Sequence, residues 1–358
     1  MIDPGILNRL NADTAEERLD ALRAEKARAQ FPPINPRYIN NHIHTWYSFS
    51  PYSPTAAVFA ARSEGLCTAG IIDHDSIAGA REFLRAGSIL DLPVTIGIET
   101  RVSMAGTPFA GRRTNNPDQA GASDMVLHAV PHDQIERVQA YFEPLREHRT
   151  TRNRKTVDAI NQLPGAGIDF DRDVKPLSRW HEGGSITERH LMQALSRKTK
   201  PGLSMLEEYD HIGQLKKDFV PQIFIDATDE CPAIQDYIAF CQDVNGILAY
   251  PYLGDVTVSV TGDKKAQKFE DDYLDELMQV LSDLGIKAIT YMPTRNTDEQ
   301  LTRLRALCDK HNMMQISGED INSPRQSFII EKMKEDRFSN LIDSTYQLIE
   351  HENGGKTR

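Results

Sequence analysis

LCTAGIIDHDSIAGAREFLRAGSILDLPVTIGIE, residues 66–99, contains one complete strand–helix–strand unit. Its apolar runs and turn residues predict a strand at 66–72, a helix at 76–90 and a second strand at 94–98. The first strand ends on Asp73-His74-Asp75 and the second on Glu99. Two strands joined by a helix, each followed by polar residues, are typical of parallel α/β folds. The stretch therefore predicts an α/β architecture.

Strands that alternate with helices are also predicted before and after this unit, with one interruption. Residues 133–230 are strongly helical and charged, and we interpret them as an insertion. Before it we expect strands at 41–44 and 125–130 and a helix over 55–65; after it, strands at 246–250, 288–291 and 313–317 and helices at 268–284, 297–311 and 337–351. The predicted organisation is an N-terminal helical extension (1–37), a first part of the α/β domain (38–132), a mainly helical insertion (133–235), a second part of the α/β domain (236–330) and a C-terminal helix and tail (331–358).

Composition disfavours several classes of protein. Of the 358 residues, 39% are hydrophobic and 26% are charged, so the chain can bury a core and is not expected to be disordered. Its net charge of −11 disfavours stable binding to nucleic acid, which normally needs a basic face. The sequence contains no run of about 18 apolar residues, so we predict no membrane span. The four cysteines form no CxxC pair and the N-terminus resembles no signal peptide, so we expect free thiols and a cytoplasmic location.

Polar residues follow most of the predicted strands. They are His42 and His44, Asp73-His74-Asp75, Glu99, His128 and Glu319-Asp320. Parallel strands present their carboxyl ends at one edge, where active sites of barrels are built. Side chains two residues apart on a strand share a face, so His42 and His44 should point the same way. Two imidazoles with a carboxylate from another strand are typical ligands of Zn, Mn or Fe.

These motifs, taken in order, resemble one known family. HIH with a Ser-rich loop, then GIIDHD, GIE, LHAVP and GED, is similar to the PHP (polymerase and histidinol phosphatase) domain over about 40–130 and 245–325. The resemblance implies a distorted (β/α)7 TIM-like barrel with a helical insertion. It also implies hydrolysis of phosphoesters with up to three metal ions.

The resemblance assigns metal ligands to positions of this chain. His42, His44, Glu99 and Asp320 would complete one site, while Glu99 and His128 would belong to a second. His74 would be the one remaining ligand of a third site.

The chain departs from the family pattern at three places. Phe49 and Ser50 stand where an Asp or His is usual, Tyr250 replaces a His, and Asn322 replaces the last His. We therefore expect one firm divalent ion (Mn, Fe or Zn), a second only where water or Tyr250 fills the gap, and no third. Asp75, Asp255 and Glu319 are open as substitute ligands.

The leading functional hypothesis is hydrolysis of a small phosphorylated molecule, a nucleotide or a sugar phosphate. A metal would lower the pKa of a bound water toward about 7, so that hydroxide generated at the metal attacks phosphorus. His74 or Asp75 would protonate the leaving oxygen. Residues expected to bind the substrate are Arg112, Arg113, His190, Tyr250, Asn322 and Arg325.

Other interpretations stay open at this point. The lost ligands are compatible with a regulatory protein that binds a phosphorylated ligand without cleaving it. An amidohydrolase-like hydrolase also begins with HxH, although no bridging Lys lies near a strand end. Individual residues have plainer roles too: His74 could brace the site, His128 could be a core residue, His190 could pack a helix start, and the arginines could be solvated.

Overall fold

The computed structural model describes residues 2–255 and 270–354. In these residues seven strands form one sheet in the order of the sequence. The strands are β1 (Ile39–Ile43), β2 (Thr68–His74), β3 (Val94–Ser103), β4 (Ala122–His128), β5 (Ile247–Tyr252), β6 (Ala288–Tyr291) and β7 (Met314–Ser317). The chain after β7 bonds back to β1: Ile321 N donates to His42 O at 3.1 Å, and His44 N donates to Ile321 O at 2.9 Å. The sheet is therefore a nearly closed barrel.

One strand runs against the predicted parallel direction. β1, β2 and β3 are parallel, as are β5, β6 and β7, but β4 is antiparallel to both β3 and β5. Residues 104–121, all of which the structure describes, hold no helix. Parallel neighbours need a crossover connection, whereas a plain loop is enough for an antiparallel pair. The loop between β3 and β4 therefore explains the reversal.

Eleven α-helices occur in the described residues. They are α1 (Pro4–Leu10), α2 (Ala15–Arg28), α3 (Pro54–Ser63), α4 (Ala80–Leu90), α5 (Ile135–Ile160), α6 (Glu188–Thr199), α7 (Met205–Ile223), α8 (Ile234–Asp243), α9 (Leu274–Asp283), α10 (Asp298–Lys310) and α11 (Ser339–Glu352). Short helical turns cover His132–Gln134, Phe170–Val174, Lys175–Ser178, Trp180–Glu182, Asp271–Tyr273, Glu331–Lys334 and Asp336–Phe338. None of the helices in this part of the chain is long and apolar enough to cross a bilayer. The start of the helix predicted over 268–284 falls partly outside the described residues.

The N-terminal helical extension predicted over residues 1–37 contains two helices, α1 and α2. Thr14 and Glu17 form a capping box: the Thr14 side chain accepts from Glu17 N, and the Glu17 carboxylate accepts from Thr14 N at 3.0 Å. This arrangement satisfies the backbone donors at a helix start and so begins α2 after the chain has left α1. α2 docks through a buried ion pair, in which Arg18 donates to the Glu82 carboxylate of α4 at 2.8 and 2.5 Å.

Helices α5, α6 and α7 lie within the stretch interpreted as an insertion, and they have a hydrophobic cluster of their own. Val157, Leu191 and Ile212 are among its buried members. Phe49, from the loop after β1, packs into the same cluster. Helices α5, α6 and α7 therefore contact the barrel through the loop that follows the first two histidines.

Helix α11 closes the other end of the barrel. Its Leu348 packs against Ala129, Ala249, Ala288 and Ile316. At the end of α11 the buried Glu352 carboxylate accepts from Thr95 Oγ1 and, at 2.8 Å, from Ile96 N. Burial raises the pKa of this carboxyl to about 7. Helix α11 thus covers this end of the barrel.

Candidate metal centre

Five of the predicted side chains converge at the open end of the barrel. Glu99 Oε2 lies 3.3 Å from His42 Nε2, 3.8 Å from His44 Nε2 and 3.3 Å from His74 Nδ1. Asp320 Oδ1 lies 3.1 Å from His44 Nε2. The rings of His42 and His44 share one face, with centroids 5.0 Å apart, as their spacing on β1 predicts. The cluster therefore combines side chains from β1, β2, β3 and the segment after β7.

The charges in this cluster are strongly coupled. Burial alone would raise the pKa of Glu99, but His74 and His42 outweigh it and lower that pKa to about 2. Asp320 is also held well below its ordinary pKa, because His44 outweighs the effect of burial. Burial lowers the pKa of His74 to about 3. The cluster therefore contains two ionised carboxylates and at least one neutral imidazole near neutral pH.

The donor atoms fit a divalent metal ion. Among the described residues, the buried Nε2 atoms of His42 and His44 have no hydrogen-bond partner of acceptable geometry. The described residues contain two sets of possible metal-ligand atoms, and within each set the atoms lie within 4.8 Å of one another. One set comes from His42, His44 and Asp320, and the other from His44, His74 and Glu99. Imidazole nitrogens with carboxylate oxygens suit Zn, Mn or Fe. His44 belongs to both sets, so both would depend on its orientation.

Two residues near Asp320 explain how β7 delivers this carboxylate. A Cβ on Gly318 would lie 2.6 Å from His42 Cβ, so only glycine allows the chain after β7 to approach β1 this closely. Asn322 Nδ2 donates to Asp320 Oδ1 at 2.6 Å. The asparagine predicted as a substrate contact lines the cavity and orients the acidic residue.

Sequence reasoning missed the hydrogen bonds that orient the His44 ring through its Nδ1. His44 Nδ1 lies 3.1 Å from Ser48 Oγ, which donates to Asp73 Oδ1 at 2.5 Å. Asp73 stands out in the sequence only as the first residue of Asp73-His74-Asp75, and Ser48 only as part of a Ser-rich loop. Their connection depends on how that loop folds over β2.

A cavity of about 270 Å³ lies above the cluster. Six of the described residues that line it are cationic: Arg101, Arg149, Arg152, Arg189, Lys216 and Arg295. Four of them come from α5, α6 and α7. Some of these charges are held by acids: Arg149 Nε lies 3.0 Å from Asp75 Oδ2, and Arg152 donates to both Glu230 oxygens at 2.7 and 2.8 Å. Six carboxylates of the described residues line the same cavity: Glu99, Asp118, Asp124, Glu188, Glu319 and Asp320. Helices α5, α6 and α7 therefore supply four of the six cationic side chains of a wall that carries both signs of charge.

The structure places the predicted phosphate-binding arginines elsewhere. Arg112 donates to Glu276 Oε2 at 2.5 Å and lies over the Phe109 ring. Arg325 donates to both Asp210 oxygens at 2.6 and 2.5 Å. Neither of them, nor Arg113, lines the cavity formed by the described residues. In the loop after β3, Asn115 and Asp118 line the cavity, whereas Arg112 and Arg113 earlier in the same loop do not.

Two further predicted residues are buried away from the cavity. The Tyr250 hydroxyl donates to Glu270 at 2.5 Å and accepts from Asn115 N at 2.9 Å. His128 is buried, its two ring nitrogens have no partner among the described residues, and it belongs to neither set of metal-ligand atoms. Because β4 is antiparallel, its last residue pairs with Gly97 and so lies two residues below Glu99.

His190 and Asp75 have structural contacts. His190 Nδ1 accepts from Thr187 N at 3.0 Å and so caps α6, which is the helix-start role left open by the sequence. Asp75 accepts from Thr100 Oγ1 at 2.5 Å and pairs with Arg149, and it does not line the cavity as the described residues form it. Asp75, predicted as a proton donor, is therefore found in contact with Thr100 and Arg149 and outside the cavity lining that the described residues form.

Comparison with curated proteins gives a likeness over half of this chain. Error-prone DNA polymerases of Mycobacterium bovis and Mycobacterium tuberculosis are 29% identical over 188 residues, or 50% of this chain. That region is 16% of the first polymerase and 15% of the second, so the chain spans a small part of their length. No protein-family model matches the chain.

Two solved structures share the fold. A proposed metal-dependent phosphoesterase of Bifidobacterium adolescentis superposes with a TM-score of 0.62 at 19% identity, covering 87% of this chain and 98% of that one. An amidohydrolase of Chromobacterium violaceum, with bound sulfate and no metal, gives a TM-score of 0.61 at 16% identity, covering 82% and 90%. The predicted α/β barrel is therefore confirmed.

Proposed function

We propose that this chain is a PHP-type, metal-dependent phosphoesterase that hydrolyses a small phosphorylated molecule. One observation carries the proposal: a cluster of histidines and carboxylates lies at the base of a cavity whose wall holds six lysine and arginine side chains. Metal ligands beneath a cationic wall suit an anionic ester, because both neutralise charge on phosphoryl oxygens.

His42, His44, Glu99 and Asp320 would hold the ion, with His74 as a further donor. A divalent ion bound there supplies Lewis acidity and lowers the pKa of a coordinated water. His74 moves in this proposal from proton donor to ligand, since its Nδ1 faces Glu99 at 3.3 Å and its ring stacks on His44 at 4.8 Å. The five side chains are held by barrel strands and adjacent segments, which limits their movement.

The arginines bind and orient the substrate. Arg189 is near enough to the centre for its charge to contribute to the lowered pKa of Asp320. Arg149 is held by Asp75, and Arg152 by Glu230, so their guanidinium groups stay in place when the cavity is empty. Planar guanidinium groups recognise phosphate oxygens through paired hydrogen bonds. Helices α5, α6 and α7 thus exclude bulk water and fix the ester above the metal ligands.

The two solved structures support a phosphate ester. One is described as a proposed phosphoesterase, and the other contains sulfate, which has the shape of a phosphate group. A cavity of about 270 Å³ favours a small ester or a terminal phosphate over a duplex. This size, with the acidic overall charge, makes nucleic acid a weaker candidate.

A substrate screen with matched variants tests the proposal. Purified protein is supplied with Mn²⁺, Zn²⁺ or Fe²⁺ and assayed for phosphate release from nucleoside monophosphates and sugar phosphates. We expect His44→Ala to abolish turnover and Arg189→Met to raise KM about tenfold or more, since a charge-assisted hydrogen bond contributes about 1.5–3 kcal/mol. Arg112→Met, an arginine outside the cavity, is the control and should change neither parameter.

Three outcomes would overturn the proposal. Turnover retained in His44→Ala would exclude the metal centre, and equal effects of Arg189→Met and Arg112→Met would exclude the cationic wall. A phosphorylated compound that raises the melting temperature without being consumed would indicate a binding protein instead of an enzyme.

A further inference from the structure

We infer that Asp73 and Ser48 are positioning residues that fix the tautomer and orientation of His44, so that its Nε2 faces the metal. This inference rests on the proposed function, because it concerns the same centre. His44 Nδ1 lies 3.1 Å from Ser48 Oγ, and Ser48 Oγ lies 2.5 Å from Asp73 Oδ1. All three residues are buried.

The hydrogen bonds determine where the proton of His44 lies. The Asp73 carboxylate accepts from Thr45 N at 2.7 Å and from Thr45 Oγ1 at 2.6 Å, in addition to Ser48. A carboxylate only accepts, so the single hydroxyl proton of Ser48 is donated to Asp73. The Ser48 oxygen can then only accept from His44, which places a proton on Nδ1. Nε2 is left with a lone pair, as a metal ligand requires.

His44 is the residue at which such control matters most. It is the member shared by the two sets of metal-ligand atoms, with Asp320 Oδ1 at 3.1 Å and Glu99 Oε2 at 3.8 Å from its Nε2. A His44 ring with its proton on Nε2 would have no lone pair on that atom, so both sets would lose a metal ligand. The hydrogen-bonded series Asp73–Ser48–His44, called the relay below, therefore acts on both sets of ligand atoms through the His44 side chain.

The residue after Ser48 holds the relay in place. Phe49 has φ of 104°, a conformation that costs a non-glycine residue about 1–3 kcal/mol and persists only when the surroundings impose it. Its ring is buried against His190 and Tyr209, with centroids 5.3 and 5.2 Å away. Packing of Phe49 into the insertion therefore fixes the backbone beside Ser48, so the insertion acts on His44 without touching the metal.

Metal affinity measured on the metal-free protein tests the inference without an activity assay. Zn²⁺ is titrated against a chromophoric chelator into the wild type, Ser48→Ala, Asp73→Asn and the control Ser50→Ala. Ser50 lies in the same loop, and its hydroxyl contacts only Tyr52 N among the described hydrogen bonds, at 3.4 Å. We expect Ser48→Ala and Asp73→Asn to weaken Zn²⁺ binding about 10–100-fold, as loss of a residue behind a metal ligand typically does. Ser48→Thr, which keeps the hydroxyl, should restore most of the affinity.

A ¹⁵N NMR measurement of the His44 ring in alkaline buffer is the second readout. It should show the Nδ1–H tautomer in wild type and a mixture in Ser48→Ala. An Nε2–H tautomer in wild type, or equal Zn²⁺ affinity of Ser48→Ala and Ser50→Ala, would overturn the relay. Failure of the wild type to take up any metal would overturn the proposed function instead. If Asp73→Asn did not fold, the NMR result would still decide whether the relay exists.

Discussion

Replacing Gly318 with alanine should disturb the barrel and the metal centre together. The new Cβ would lie 2.6 Å from His42 Cβ and 3.2 Å from His42 N. Carbon atoms in contact normally stay about 3.5–4.0 Å apart. Either the chain after β7 or the end of β1 must therefore move by about 1 Å. Because Asp320 follows Gly318 by two residues, this movement separates two of the metal ligands.

The expected loss is about 1–3 kcal/mol of unfolding free energy, the usual cost of an extra methyl group in a packed site. Urea unfolding of the metal-free protein measures this loss, and Zn²⁺ titration measures the accompanying fall in affinity. Gly213→Ala on α7 is the matched control, since its Cβ would meet nothing within 4 Å. That control should leave stability unchanged or raise it by up to about 1 kcal/mol. Wild-type stability and wild-type metal affinity in Gly318→Ala would refute the reasoning.

Two further predictions concern buried carboxylates. Glu82→Gln removes the counter-charge of buried Arg18 and should cost about 3–5 kcal/mol in denaturant unfolding. Glu16→Gln, at the exposed pair with Arg85, is the control and should cost far less. Equal losses in the two variants would contradict this. Burial raises the pKa of Glu352 from 4.5 to about 7, so the folded state binds this proton more tightly and stability should fall as pH rises between these values. Glu352→Gln should remove that fall, and an unchanged pH profile of stability would show that the carboxyl is not the cause.

The barrel and the core of the site were predictable because their signals are local. Strand period places His42 and His44 on one face, and the alternation of strands with helices brings Glu99 and Asp320 to the same end. The direction of β4 was not predictable from its own residues, since a strand reads the same in both directions. The connection decides it, because the described residues 104–121 hold no helix that could form a parallel crossover.

Four of the six described cationic residues that line the cavity were missed because they come from α5, α6 and α7, far along the chain from the metal-ligand motifs. Arg149 and Arg152 lie three residues apart on α5, a pattern that in sequence is the same as that of a solvated helix face. Their partners Asp75 and Glu230 are far away along the chain, so nothing local marks them as buried. Arg112, by contrast, was predicted to bind the substrate, but it packs on Phe109 and Glu276. The packing of the helices decides which of these arginines line the cavity, and the local sequence does not reveal that packing.

Metal content per chain tests the central claim most directly. Protein purified without chelator or affinity metal is analysed for Mn, Fe and Zn, and the same analysis is made on His44→Ala and on the control His148→Ala, an exposed residue of α5. The account predicts one or two equivalents in wild type, the same in His148→Ala, and almost none in His44→Ala. Absence of metal from wild type even after soaking, or equal metal in wild type and His44→Ala, would contradict it.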